Sequence, residues 1–113
     1  MKNKVILLSS DRFGSGDPGL GETLLETFFV LLKQREEKPA AIFCVNRGVF
    51  ALTDRSLASV HLQELADAGV PVLACKTCVD FYQLENELQV GDISSMGHFL
   101  ELASKYEVLN ISS

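Results

Sequence analysis

Tryptophan is missing from these 113 residues, methionine and tyrosine occur twice each, and proline only three times. Of the eight glycines, four fall within residues 14–21 and the rest stand singly; no repeat or extended low-complexity tract forms, which excludes a collagen-like, linker-dominated or low-complexity chain. Positive charge is scarce: ten Lys and Arg stand against fifteen Asp and Glu, for a formal net charge of −5. No basic stripe forms, so neither a nucleic acid nor an anionic membrane surface is an expected partner. Long apolar runs are absent too. Nothing approaches the roughly 20 residues of a membrane span. The apolar stretch at 5–8 is too short for a signal-peptide core and is stopped by Ser9-Ser10-Asp11-Arg12. The expected location is therefore cytoplasmic. Cysteines number three, an odd count that argues against a closed disulfide framework and for free or redox-active thiols.

What is present is a hydrophobic content of 47%, enough for one domain over 1–113 with a core of its own. Residues 5–9 form a continuous apolar run, the pattern of a strand covered on both faces. A glycine-rich loop follows, in which Asp17 is an N-cap and Pro18 a first helical residue. Leu20, Leu24, Leu25, Phe28, Leu31 and Leu32 recur at steps of three and four, predicting a long helix that runs to about Lys38-Pro39 with those residues inward. Residues 40–45 predict a second buried strand and Asn46-Arg47-Gly48 a turn, while 49–52 read equally as strand extension or loop. A second helix is expected from Ser56, with Leu57, His61, Leu62 and Leu65 on one side and Gly69 as its stop. Residues 70–74 predict the third strand, 79–88 a short helix and 90–93 a fourth strand. Ser94 or Ser95 then caps a last helix with Met96, Phe99, Leu100 and Ala103 inward, and 108–111 closes the pattern as a fifth strand. Five alternations of strand and helix predict an α/β fold, a parallel sheet with helices on both faces.

In such sheets ligands and chemistry gather beyond the carboxyl ends of the strands. That places residues 11–17, 46–48, 75–78 and 94–96 on one rim. Cys75-Lys76-Thr77-Cys78 is the most specific of these. It lies where a strand gives way to a helix, so main-chain amides and the Lys76 ammonium are expected to pull a thiol pKa below that of a free cysteine. The spacing admits dithiol–disulfide cycling, persulfide carriage, or a pair that merely packs. A zinc site lacks ligands: there is one C-x-x-C, with Cys44, His61 and His98 scattered elsewhere, so no metal and no cofactor is expected. Cys44, inside an apolar strand, reads as a small core hydrophobe. The two histidines lack an identifiable partner.

Gly14-Ser15-Gly16-Asp17-Pro18-Gly19 has the spacing of a dinucleotide loop, but Asp17 would repel a phosphate there. The acidic residue expected about 20 positions on is replaced by Val45-Asn46-Arg47. The glycines are better read as letting this loop pass close to the cysteine turn. Asn46 and Arg47 are candidates for an anionic group on the rim, and Phe28, Phe29 and Phe43 for a common core cluster.

Taken together, several stretches resemble the DsrE/DsrF-like family, and most nearly the DsrE-like domain of the YedF group, associated with sulfur and selenium metabolism. They are Gly14-Ser15-Gly16-Asp17 with Leu20-Gly21 and Leu24, then Asn46-Arg47-Gly48-Val49, Gly69-Val70 through Cys75-Lys76-Thr77-Cys78-Val79-Asp80-Phe81-Tyr82, and Val90-Gly91 with Ser95-Met96. The resemblance implies an αβα sandwich with a five-stranded parallel sheet whose first and last strands are adjacent. It also implies a sulfur relay in which a cysteine after the third strand carries persulfide, and assembly as a homo-oligomer, a trimer or hexamer. The carrier position corresponds to Cys75, with Cys78 as the extra cysteine of the subgroup; Lys76, Thr77, Gly14, Gly16, Asp17, Asn46, Arg47, Ser95 and Met96 are its implied surroundings. Two positions depart from the subgroup, Gln83 where glycine is usual and Arg47 where a small residue is usual. A sulfur-carrier domain that often precedes this one is not among the 113 residues, so a separate sulfur-carrier protein is the expected partner. The alternative function is a non-catalytic oligomeric module that binds a small anion or a protein, its cysteines structural.

Overall fold

A computed structural model describes residues 1–111. The elements run β1 Lys4–Leu8, α1 Pro18–Lys33, β2 Ala41–Cys44, a 3-10 helix Asn46–Leu52, α2 Ser59–Asp67, β3 Val72–Cys75, α3 Lys76–Phe81, β4 Asp92–Ser94, α4 Met96–Lys105 and β5 Glu107–Asn110. The five strands form one sheet in the order β4-β3-β2-β1-β5. Every pairing is parallel, and the first and last strands are neighbours, Val5 beside Val108 and Leu7 beside Asn110. This is the α/β sandwich expected.

Because side chains alternate along a strand, each central strand feeds two layers. Ile6, Leu8, Ile42, Cys44, Val72 and Ala74 meet Leu25, Phe29 and Leu32 of α1, Leu62 and Leu65 of α2, and Val79 of α3 in the main core. The opposite face carries Phe43, Leu73 and Cys75, packed against Phe99 and Leu102 of α4. The chain moves from β1 to β4 in one direction across the sheet, so α1, α2 and α3 share a face. It then returns from the β4 edge to the β5 edge, which leaves α4 by itself on the other.

Several expectations are corrected. The inward stripe of α1 is Gly21, Leu25, Phe29 and Leu32, whereas Leu20, Leu24 and Leu31 are exposed. Apolar residues surround much of that helix, so periodicity admitted a face rotated by about one position. The helix also stops at Lys33, before the basic and acidic run ahead of Pro39. In α2, which begins at Ser59, Leu57 lies outside and Leu62 and Leu65 inside; Ser56 instead organises the turn before it through its Oγ and carbonyl. The third helix starts at Lys76, three residues earlier than its apolar pattern suggested, and ends at Phe81. On α4, Met96 and Leu100 are 51% and 64% exposed, while Phe99 faces the sheet as expected and is joined there by Leu102. The aromatic cluster divides as well: Phe28 meets Phe29 edge-on, while Phe43 lies across the sheet against Phe99.

Candidate functional site

The cysteine segment is built by β3 and α3. Val72, Leu73 and Ala74 are fixed by pairing with β2, and Cys75 pairs in register with Ser94 of the edge strand. Cys75 is both the last strand residue and the N-cap of α3, with extended backbone and no side-chain cap bond. Alternation with Leu73 sends its side chain to the α4 face, where it is 4% exposed among Phe43, Leu73, Phe99 and Leu102. One helical turn on, Cys78 returns toward the sheet. It packs against both core layers, the second of which contains Cys75, and remains partly accessible.

The second wall comes from the segment after β2. The main-chain N–H of Asn46 donates to Cys78 Sγ at 3.1 Å. Asn46 has φ +50°, a left-handed conformation that asparagine tolerates better than most residues. The strand before it and the turn after it are anchored, Val45 N–H donating to the Leu8 carbonyl and Gly48 N–H to that of Val45. Gly48 is obligatory: a Cβ there would stand 2.0 Å from the Leu8 oxygen. A backbone contact across 32 positions leaves no mark in spacing, and only the positive-φ tolerance of asparagine hinted at it.

Electrostatically the site differs from expectation. Lys76 Nζ bonds Asp80 Oδ2 at 2.7 Å along the outer side of α3, which raises the lysine pKa and engages its charge with that carboxylate. Burial pushes the Cys78 thiol up; the Asn46 amide pulls it down, and the neighbouring Cys75 pushes it up again. For Cys78 the net direction is upward, because one amide does not offset the loss of solvent. Cys44, wholly enclosed on the other face, is driven to about 12 by burial and belongs to the core as read.

Around the pair, Arg47 reaches Asp11 Oδ2 at 3.4 Å and lies over the Phe50 ring at 4.4 Å from its centroid. Thr77 is exposed. Ser95 caps α4, its Oγ accepting from His98 N–H, while Ser94 Oγ and His98 Nδ1 are 2.7 Å apart. Met96 points to solvent. The glycine loop behaves otherwise than expected. Asp17 caps α1 by accepting from Leu20 N–H at 3.0 Å. Gly14 and Gly16, however, have nothing within 4 Å of where a Cβ would stand, so no close approach demands them. Gly14 instead serves a φ of +82°. Among the described residues no cluster of three His, Cys, Asp or Glu is arranged to hold a metal ion, and no helix is long and apolar enough to cross a membrane.

Residues not anticipated from the sequence include Asp11 and Phe50, the partners of Arg47, and a chain of polar contacts between α1 and α2. In that chain Lys33 Nζ donates to His61 Nδ1 at 2.9 Å, which leaves Nε2 to donate to Glu26 Oε2 at 3.1 Å, and Lys33 also pairs with Glu64. This chain borders a cleft of about 610 Å³ lined by Glu26, Ser56, Val60 and His61. None of the cysteines lines that cleft. Both ring nitrogens of His61 are occupied, so the network reads as a cross-link between helices.

Neither a family model nor any curated protein sequence matches the chain. Solved structures do. The YchN protein of E. coli superposes with a TM-score of 0.68 at 18% identity, covering 97% of this chain and 99% of its own. MTH1491 of Methanobacterium thermoautotrophicum, a protein of unknown function, gives 0.61 at 20%, with 95% and 97% covered. Both have the DsrE/DsrF-like fold, and at the level of fold this chain is DsrE/DsrF-like.

Proposed function

We propose that the chain is a sulfur-relay protein that carries persulfide sulfur on its cysteine pair. The observation behind this reading is the pair itself: two free thiols in contact at the carboxyl end of β3, one partly accessible and held by the Asn46 amide. Beyond that strand end, the rim supplies a guanidinium at Arg47, half exposed, suited to an anionic donor. The fold likeness is consistent with such a role.

In this reading the protein works in the cytoplasm as a homo-oligomer and exchanges sulfur with a separate sulfur-carrier protein, with sulfur or selenium as the cargo. Incubation of the reduced protein with glutathione persulfide, followed by intact-mass measurement, tests the reading. Either a gain of about 32 Da, the mass of one sulfur, that a dithiol reverses, or the release of that sulfur as sulfide, is expected of the parent. Failure to gain mass and to release sulfide, in the parent and in both single-cysteine variants, sinks it.

A second reading, a binding module with structural cysteines, is favoured by the raised thiol of Cys78 and the apolar outer side of α4. It predicts that replacing both cysteines leaves partner binding intact.

A further inference from the structure

We propose that the two cysteines divide the work: Cys78 receives the incoming sulfur, Cys75 resolves the persulfide so formed, and the main-chain amide of Asn46 positions the receiving sulfur. The inference rests on the sulfur-carrying reading above and reverses the assignment that family resemblance implies.

Access decides the order. A donor persulfide must bring its outer sulfur into line with the accepting Sγ. Cys75 is enclosed by Phe43, Leu73, Phe99 and Leu102 and is 4% exposed, so such an approach is closed to it. Cys78 is partly accessible, and the Asn46 amide is aimed at it, 3.1 Å from Cys78 Sγ. An N–H held there stabilises the thiolate as it forms. Its position is set by the positive φ of Asn46 and by the close seat of Gly48 on Leu8. Cys75 belongs to the cluster against which Cys78 packs, and is placed to attack that sulfur from inside.

The steps balance. Cys78 Sγ bonds the outer sulfur of R–S–SH, the donor S–S bond breaks, and R–S⁻ leaves with the proton of the Cys78 thiol as R–SH. Cys75 Sγ then attacks Cys78 Sγ, the bond to the carried sulfur breaks, and that sulfur departs as hydrogen sulfide. The carried sulfur gains two electrons, which the two thiols lose in forming the Cys75–Cys78 disulfide. A small dithiol reductant restores the pair by exchange.

Trypsin cuts after Lys76, which puts Cys75 in peptide 56–76 and Cys78 in peptide 77–105. Reduced protein is treated with glutathione persulfide, alkylated and digested, and released sulfide is measured in parallel. The parent is expected to release about one sulfide per chain and to yield the two peptides joined. Cys75→Ala keeps about 32 Da on 77–105 and releases sulfide at least about tenfold more slowly; Cys78→Ala leaves 56–76 unloaded.

The proposal is overturned if Cys78→Ala loads 56–76 at the parent's rate, or if the parent retains persulfide without releasing sulfide. Either result leaves the sulfur-carrying reading standing. No sulfur transfer in the parent and both variants sinks both. Circular dichroism confirms that each variant is folded, and Cys75→Ser provides a second variant where the alanine fails to fold. For Asn46, glycine retains the left-handed backbone and parent-like loading. Asn46→Val, β-branched and averse to positive φ, shifts the pH profile of Cys78 alkylation upward. An unchanged profile in a folded Asn46→Val protein overturns the positioning role.

Discussion

Gly48 shows how a single hydrogen atom secures the candidate site. Its missing side chain lets the segment after β2 sit on the Leu8 carbonyl, and a Cβ would intrude to 2.0 Å from that oxygen and 2.7 Å from its carbon. Backbone on both sides of the clash leaves nothing soft to move. Gly48→Ala is therefore expected to cost roughly 2–4 kcal/mol in urea unfolding and to withdraw the Asn46 amide from Cys78. Cys78 makes a second residue-scale prediction. Its thiol is raised above that of an ordinary cysteine, by burial first. Its alkylation rate should climb with pH and reach half its plateau above 9. Folding favours the protonated thiol, so the associated stability is full below the unfolded value and fades as pH rises past the folded one. A midpoint well below 9 in an alkylation profile counts against this. The C-x-x-C pair and its strand-end location were legible because they are contiguous. The Asn46 contact was not, because it is made by backbone, and the Lys76–Asp80 bond was missed although i,i+4 spacing on a helix permits it.

At the scale of elements, strands were easier to read than helix faces. The runs at β1, β2 and β3 are apolar on both sides because both sides are covered, and their positions were found to within about two residues. Helices α1 and α4 carry more apolar residues than one buried stripe needs, so spacing could not choose among Leu20, Leu24, Leu31, Met96 and Leu100, all of which ended outside. Gln83 makes a testable point here. It stands just past α3 with φ +57°, a left-handed position after a helix that glycine fills without steric strain. Gln83→Gly should stabilise the fold by about 0.5–1 kcal/mol. A shift of the urea midpoint to lower concentration, with unchanged slope, contradicts this.

Taken as a whole, the molecule is lopsided. Three helices and the 3-10 segment bury one side of the sheet, and the other has a single ten-residue helix. No residue of α4 is fully buried, and Met96, Leu100, Tyr106 and Val108 remain 36–64% exposed. If the proposed homo-oligomer forms through this side, Met96→Lys with Leu100→Lys should reduce the mass seen by light scattering while far-UV circular dichroism stays unchanged. An unaltered oligomer places the contact elsewhere. The sheet class was legible from five alternations, whereas the sparse cover on one side was not, since it depends on which way each crossover turns. The pairing of β1 with β5 carries a kinetic consequence. Lys4 meets Glu107 and Leu7 meets Asn110, so β1 keeps one open flank until the ribosome has delivered the hundred residues between. A nascent chain would carry that bare hydrogen-bonding margin until β5 emerges, open meanwhile to pairing with another chain.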